Sequence, residues 1–94
     1  MKISIEFVGS LRHASSARIL VRECDNGMLL KDLVYSIIKE KPALEHSLLD
    51  KQSDDPKASA LMLINGREIS VLQGLSTALK DGDKMVFVPV IHGG

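Results

Sequence analysis

Only one stretch of this chain repeats its apolar residues at helical spacing, and it lies between stretches whose apolar residues alternate. Leu29, Leu30, Leu33, Val34, Ile37 and Ile38 fall at i, i+3/i+4 and i+7/i+8, the stripe of an amphipathic helix. Lys39 and Lys41 stand where the helix dipole favours cations, and Pro42 ends the segment. Before it, residues 2–8 place Ile3, Ile5 and Phe7 on one face and Lys2, Ser4, Glu6 and Val8 on the other, the period of a half-buried strand. A helix with a single apolar stripe must bury it against something, and the strands on either side supply an apolar sheet face. Those requirements predict an α+β domain, a mixed sheet of four to five strands with one main helix packed on one face.

The remaining segments fill in that frame. Gly9-Ser10 breaks the first strand, and residues 10–16 (SLRHASS) are small and polar enough for a loop. A second strand is expected over 17–24, where Ile19 and Val21 as the inward pair would also turn Glu23 inward and Cys24 outward, so a bulge near Arg22 is expected. Residues 43–50 allow one further short helix, and 51–59 (KQSDDPKAS) read as an exposed loop. Strand signals return at 60–64, followed by Asn65-Gly66, the pair best suited to a two-residue hairpin turn, and a short partner arm from Arg67 to Val71. Leu72, Leu75 and Leu79 then reach the core from an irregular or 3₁₀ segment, and Asp81-Gly82-Asp83 turns into a last strand, Lys84 to Ile91. The expected core is Ile3, Ile5, Phe7, Leu33, Ile37, Ile64, Met85 and Phe87. With the first and last strands side by side in the middle, this order of elements is the ubiquitin-like β-grasp arrangement.

At 94 residues the chain suits one domain, 1–91, with a flexible tail over 92–94. Twelve Lys and Arg against twelve Asp and Glu leave a formal net charge of +0, which removes the long-range attraction on which nucleic-acid and membrane-surface binders rely. Neither nucleic acid nor membrane is therefore expected as a partner. The single cysteine, Cys24, cannot form an internal disulfide or a thiolate zinc knuckle, which fits a reducing cytoplasm. The alternating N-terminus, MKISIEFVGSLRH, has the pattern of neither a signal peptide nor a membrane helix.

Catalytic groupings are scarce. His13, His46 and His92 occur in separate segments without metal-ligand spacing, so no bound metal or cofactor is expected. Cys24 at a strand end reads as a small hydrophobe before it reads as a nucleophile. The Asp54-Asp55 and Asp81/Asp83 pairs sit in turn contexts, where aspartates bind nearby backbone N–H groups. Gly93 and Gly94 are different. Two residues without side chains make a tail narrow enough to thread a partner's channel, and they end in a carboxylate ionised at neutral pH; the bland alternative is a frayed terminus. In the last strand Met85, Phe87 and Ile91 share the bulky face, which leaves Val86, Val88 and Val90 as an apolar stripe running into His92 and the glycines. Such a stripe suits a partner surface, unless the 43–59 segment covers it.

The stretch from Leu61 to Gly94 resembles the C-terminal half of the ubiquitin-like sulfur carriers, which include the small subunit of molybdopterin synthase, the thiamine sulfur carrier and the modifiers of tRNA thiolation. The resemblance is carried by Asn65-Gly66, by Leu79-x-Asp81-Gly82-Asp83, by Pro89-Val90 and by terminal Gly93-Gly94. Phe7-x-Gly9-x-Leu11-Arg12 is similar to the first strand and loop of the molybdopterin synthase small subunit, and Gly27-x-Leu29-Leu30-x-Asp32-Leu33 to the helix start of all of them. Where the family often caps that helix with Thr, this chain has Leu29, so the cap is expected from Asp25, Asn26 or water. The ending Ile-His-Gly-Gly is closer to the tRNA-thiolation and conjugating modifiers.

The resemblance implies a carrier, not an enzyme. An E1-like adenylyltransferase would use ATP and Mg²⁺ to adenylate the Gly94 carboxylate, and a sulfur donor protein would convert it to a thiocarboxylate. Gly93 would thread the tail, and Val86, Val88, Val90 and His92 would meet the partners. The first role this implies is that of the small subunit of molybdopterin synthase, whose large subunit would take the sulfur onto a pterin precursor in molybdenum cofactor biosynthesis. The alternatives are sulfur donation for tRNA thiolation, protein conjugation, or a β-grasp interaction module with an inert tail.

Overall fold

A computed structural model of the chain describes residues 1–48 and 60–90. The expected exposed loop with Asp54-Asp55, the end of the short helix expected over 43–50, and Ile91, His92, Gly93 and Gly94 lie outside the described residues. The elements run β1 (Lys2–Phe7), α1 (Leu11–Ser15), β2 (Ile19–Glu23), α2 (Leu30–Glu40), a 3₁₀ turn (Pro42–Leu44), α3 (Glu45–Leu48), β3 (Ala60–Ile64), β4 (Arg67–Glu68), 3₁₀ turns at Ile69–Val71 and Gly74–Ser76, and β5 (Lys84–Pro89). The five strands form one mixed sheet in the order β2-β1-β5-β3-β4, with β1 and β5 parallel at its centre. This is the expected α+β arrangement with one main helix on one face.

Alternation decides what lies beneath that helix. Ile3, Ile5 and Phe7 of β1, Met85 and Phe87 of β5, and Ala60, Met62 and Ile64 of β3 are buried against Leu30, Leu33, Val34, Ile37 and Ile38 of α2. All eight residues expected in the core are there. The Phe7 and Phe87 rings stack at its centre, 5.8 Å apart and inclined by 24°. Asn65 (φ 51°) and Gly66 (φ 83°) both take the left-handed conformation that a tight hairpin between β3 and β4 demands. Asp81 Oδ1 accepts the Lys2 N–H at 2.7 Å, and Asp83 accepts the Lys80 N–H at 2.8 Å and the Asn65 amide at 2.9 Å. Asp81 thus ties the turn before β5 to the start of β1 and Asp83 ties it to the β3–β4 hairpin, while only the Asp83–Lys80 bond is of the local backbone kind that the turn setting predicts.

The hairpin arm expected from Arg67 to Val71 pairs only at Arg67 and Glu68, because Ile69 is buried and the chain turns as a 3₁₀ helix over Ile69–Val71. Three further expectations fail. Residues 11–15 of the expected 10–16 loop form α1, because Leu11 is buried and draws one helical turn over the sheet rim. The turn is closed by Ser16, which takes φ 57° and donates its N–H to the His13 carbonyl at 3.2 Å, while the hydroxyl of buried Ser15 donates to the Ala17 carbonyl at 2.7 Å. Five residues are too few to display a helical period. In β2 the faces are the reverse of those expected, and no bulge interrupts the register from Lys2↔Glu23 to Glu6↔Ile19. Ile19 and Val21 point outward, whereas Leu20, Arg22 and Cys24 point to the helix side. Arg22 is tolerated there because its apolar stem can cover the core edge while its guanidinium reaches α2. Its Nη2 lies 2.7 Å from the Glu40 carboxylate, an ion-pair distance, although the angle is not that of a hydrogen bond. Finally, neither Asp25 nor Asn26 caps α2. Leu29 holds the extended N-cap conformation and bridges Ala78, and the Leu30 N–H donates to the Thr77 carbonyl at 2.9 Å. A distant strand-like segment thus satisfies the helix start.

Candidate functional site

The face of the sheet away from α2 has no layer over it among the described residues, and β5 runs through it. Because Met85 and Phe87 are committed to the core, Val86 and Val88 must face the other way. Both are half-buried, and Val90 just beyond the strand is 42% exposed. The register with β3 sets Leu63 beside Val86 and Leu61 beside Val88, and Leu61 is 38% exposed. The valine stripe inferred from one strand is therefore one side of a two-strand apolar patch. Leu61 and Leu63 were not among the residues expected there. Their alternation with Ala60, Met62 and Ile64 is present in the sequence, but an all-apolar run does not reveal which parity faces out.

On its other flank the patch meets charge. Lys84 Nζ lies 3.2 Å from Glu6 Oε1, and Ser4 and Glu6 continue this polar stripe along β1. Pro89 closes the apolar end. Having no N–H, it cannot extend the ladder as a donor, which suits the final position of a strand. The Gly9 turn presses on it: a Cβ at Gly9 would come 3.3 Å from Pro89 Cγ, and Gly9 holds φ +59°. The Val8 N–H donates to the Phe87 carbonyl at 3.0 Å, and Arg12 Nε donates to the Phe7 carbonyl at 3.2 Å. The point from which the tail leaves is thus anchored by β1 and α1. His92, Gly93 and Gly94 themselves lie beyond the described residues.

The other candidates do not converge. His13 sits on α1 and His46 on α3, and among the described residues no three His, Cys, Asp or Glu side chains gather as a metal site would require. Cys24 is half-buried against the core, and burial pushes its thiol up from its ordinary value despite the nearby Arg22 charge, which weakens it as a nucleophile. A shallow hollow of about 250 Å³ beside the hairpin is lined by Asn65, Arg67, Lys80 and Asp83. Both oxygens of Asp83 are already occupied by the turn. None of the described helices is long and apolar enough to cross a membrane.

A family model described as Urm1 (Ubiquitin related modifier) matches residues 2–94. The chain is 28% identical over 94 residues to small archaeal modifier protein 3 of Haloferax volcanii, and 30% identical over 98 residues to the ubiquitin-related modifier 1 homolog of Dictyostelium discoideum. In both cases the whole of each chain is covered. The solution structure of small archaeal modifier protein 1 from Methanosarcina acetivorans superposes with a TM-score of 0.85 at 28% identity, over 99% of this chain and 96% of that one.

Proposed function

The chain belongs to the Urm1 (ubiquitin related modifier) family of ubiquitin-like sulfur carriers, and from that premise we propose that its reactive group is the carboxylate of Gly94. The observation that carries the reading is the apolar patch of Val86, Val88, Leu61 and Leu63, which leads along β5 to exposed Val90 and so to the residues before Gly93-Gly94. An E1-like adenylyltransferase docks on this patch, and the tail, having no side chains at its last two positions, enters the enzyme's channel.

A carboxylate is a poor electrophile, so activation comes first. One Gly94 oxygen attacks the α-phosphorus of Mg²⁺-bound ATP, pyrophosphate leaves, and the acyl group is joined to AMP. A persulfide of a sulfur donor protein then attacks the acyl carbon and AMP departs. Reduction of the resulting acyl disulfide by a thiol leaves the thiocarboxylate. The metal and cationic groups that stabilise these steps belong to the partner enzyme; this chain supplies the carboxylate, the narrow tail and the docking face.

The whole-length likeness to archaeal and eukaryotic modifiers, with the Ile-His-Gly-Gly ending, supports the modifier branch: sulfur donation for tRNA thiolation or attachment to protein amines. A second reading, the small subunit of molybdopterin synthase working with its large subunit, is favoured by Phe7-x-Gly9-x-Leu11-Arg12. The test incubates the protein with an E1-like enzyme, ATP, Mg²⁺ and a sulfur source. The expected product gains the mass of one sulfur-for-oxygen exchange on the C-terminal peptide; sulfur on Cys24, or none, refutes the proposal. Offering the product separately to an unthiolated tRNA with its thiolase and to a molybdopterin synthase large subunit with its pterin precursor then separates the two branches.

A further inference from the structure

Charge is unevenly placed along this chain. From Phe7 to Arg22 there is no Asp or Glu, whereas Arg12, Arg18 and Arg22 all fall there. Arg22 is answered by Glu40. Arg12 and Arg18 are exposed, and among the described residues no carboxylate comes within ion-pair distance of either guanidinium. The fold gathers these two on one residue. The Phe7 N–H donates to the Arg18 carbonyl at 2.8 Å, and the Phe7 carbonyl accepts from Arg12 Nε at 3.2 Å. Arg12 is held further by its own N–H, which donates to the Gly9 carbonyl at 3.0 Å. With Nε committed to the main chain, the guanidinium keeps both Nη groups for a partner and has its orientation set in advance. A planar fork of that kind matches a carboxylate.

The place of this pair in the sheet suggests what it meets. β1 and β5 are parallel with Phe7 beside Phe87, so both strands end at the same rim. The Val8 N–H bonds the Phe87 carbonyl and the Gly9 turn packs on Pro89, so the arginines stand at the rim from which the chain runs on to Gly93-Gly94. Adjacent strands lie about 4.8 Å apart, which puts the Phe7 backbone about 5 Å from β5 and the chain at Arg18 about 10 Å from it. A partner with a standard interface covers about 800 Å² of this chain, a patch about 16 Å in radius. A footprint of that size centred on Pro89 includes Arg12 and Arg18.

We propose that Arg12 and Arg18 form a basic recognition edge for carboxylates of the E1-like adenylyltransferase, a contact that extends the β5 docking face and rests on the Gly94 reading above. Two uncompensated cations at the rim of an apolar patch act mainly on encounter. They draw an acidic surface in and fix its register against the strand ends, so that the tail meets the channel. The formal net charge of +0 does not oppose this, because the field of the pair acts within a Debye length, about 10 Å at about 0.1 M salt, and more distant charges are screened. The same balance disfavours a nucleic acid here, since attraction to a phosphate backbone is summed over many cations.

The test mixes the full chain with an E1-like enzyme in the absence of ATP and follows association by stopped flow at about 50 mM and about 500 mM salt. The parental association rate should fall about ten-fold or more across that range. The chain carrying Arg12→Gln and Arg18→Gln should associate about ten-fold more slowly at low salt, converge on the parent at high salt and dissociate at nearly the parental rate. Arg18→Gln alone should show part of this loss. Its side chain makes no hydrogen bond or ion pair among the described residues, so it decides the matter if losing the Arg12 bond to Phe7 unfolds the double variant. A parental rate that ignores salt, variants that associate as the parent does, or no binding to the enzyme overturns the proposal. So does loss of tRNA affinity in variants that still bind the enzyme normally, which would give the edge to a nucleic acid. Adding ATP, Mg²⁺ and a sulfur source to the parent tests the Gly94 reading separately: salt-steered binding without a thiocarboxylate refutes that reading and keeps this one.

Discussion

Phe87→Ala tests whether the alternation along β5 has been read correctly, on which the assignment of the docking face depends. Phe87 is fully buried, packs in register between Phe7 and Met62, and stacks on the Phe7 ring at 5.8 Å. Truncation removes the transfer energy of a phenyl ring and leaves a cavity under α2, a combination that costs about 3–5 kcal/mol in buried sites. Loss of the stacked pair places this site in the upper half of that range, about 4–5 kcal/mol. A domain of 94 residues has a total stability of about 5–14 kcal/mol, so the variant should retain its fold only narrowly. At about 4–8 °C per kcal/mol, the melting temperature should fall by about 16–40 °C. Urea unfolding followed by circular dichroism should show a lower midpoint with an unchanged slope. Val88→Ala, one residue along and on the open face, should cost less than about 1.5 kcal/mol. A loss below about 1 kcal/mol for Phe87→Ala, or a larger loss for Val88→Ala, would mean that the faces of β5 are reversed and that the docking patch is core.

Val88→Asp should leave the melting temperature within a few degrees of the parent yet weaken capture by an E1-like enzyme about ten-fold or more, because the patch would have to desolvate an unpaired carboxylate; unfolding of this variant would place the valines inside. Gly9→Ala should cost about 1–2 kcal/mol, since alanine resists φ +59° and its methyl would press on Pro89; calorimetry showing no loss would remove Gly9 as the anchor of the strand end. Deleting Gly94, or adding an alanine after it, should abolish thiocarboxylate formation without changing the circular dichroism spectrum, since the added residue moves the carboxylate about 3.5 Å along an extended tail. Cys24→Ser should support the exchange at the parental rate, and a failure to do so would move the chemistry to the thiol.

Residue order alone determined a good deal of this protein. Ile3, Ile5 and Phe7 alternate, Leu30 to Ile38 repeat at helical spacing, and Asn65-Gly66 and Asp81-Gly82-Asp83 have few conformations open to them, so strands, helix, turns and core followed from local physics. The Gly93-Gly94 ending likewise needs no fold to be recognised as unusual. What the sequence could not express were contacts between segments remote from each other in the chain. Arg22 faces inward because Glu40 and Ser36 of α2 wait for its guanidinium, which reverses the faces that hydrophobicity alone suggests for β2. The start of α2 is satisfied by Thr77, nearly fifty residues later, a partner that no cap rule at Leu29 could name. Leu61 and Leu63 join Val86 and Val88 only through the β3–β5 register, which turns a stripe on one strand into a patch. Local periodicity sets which residues must leave water, but an edge or a patch belongs to several strands at once, and only their pairing decides what it presents.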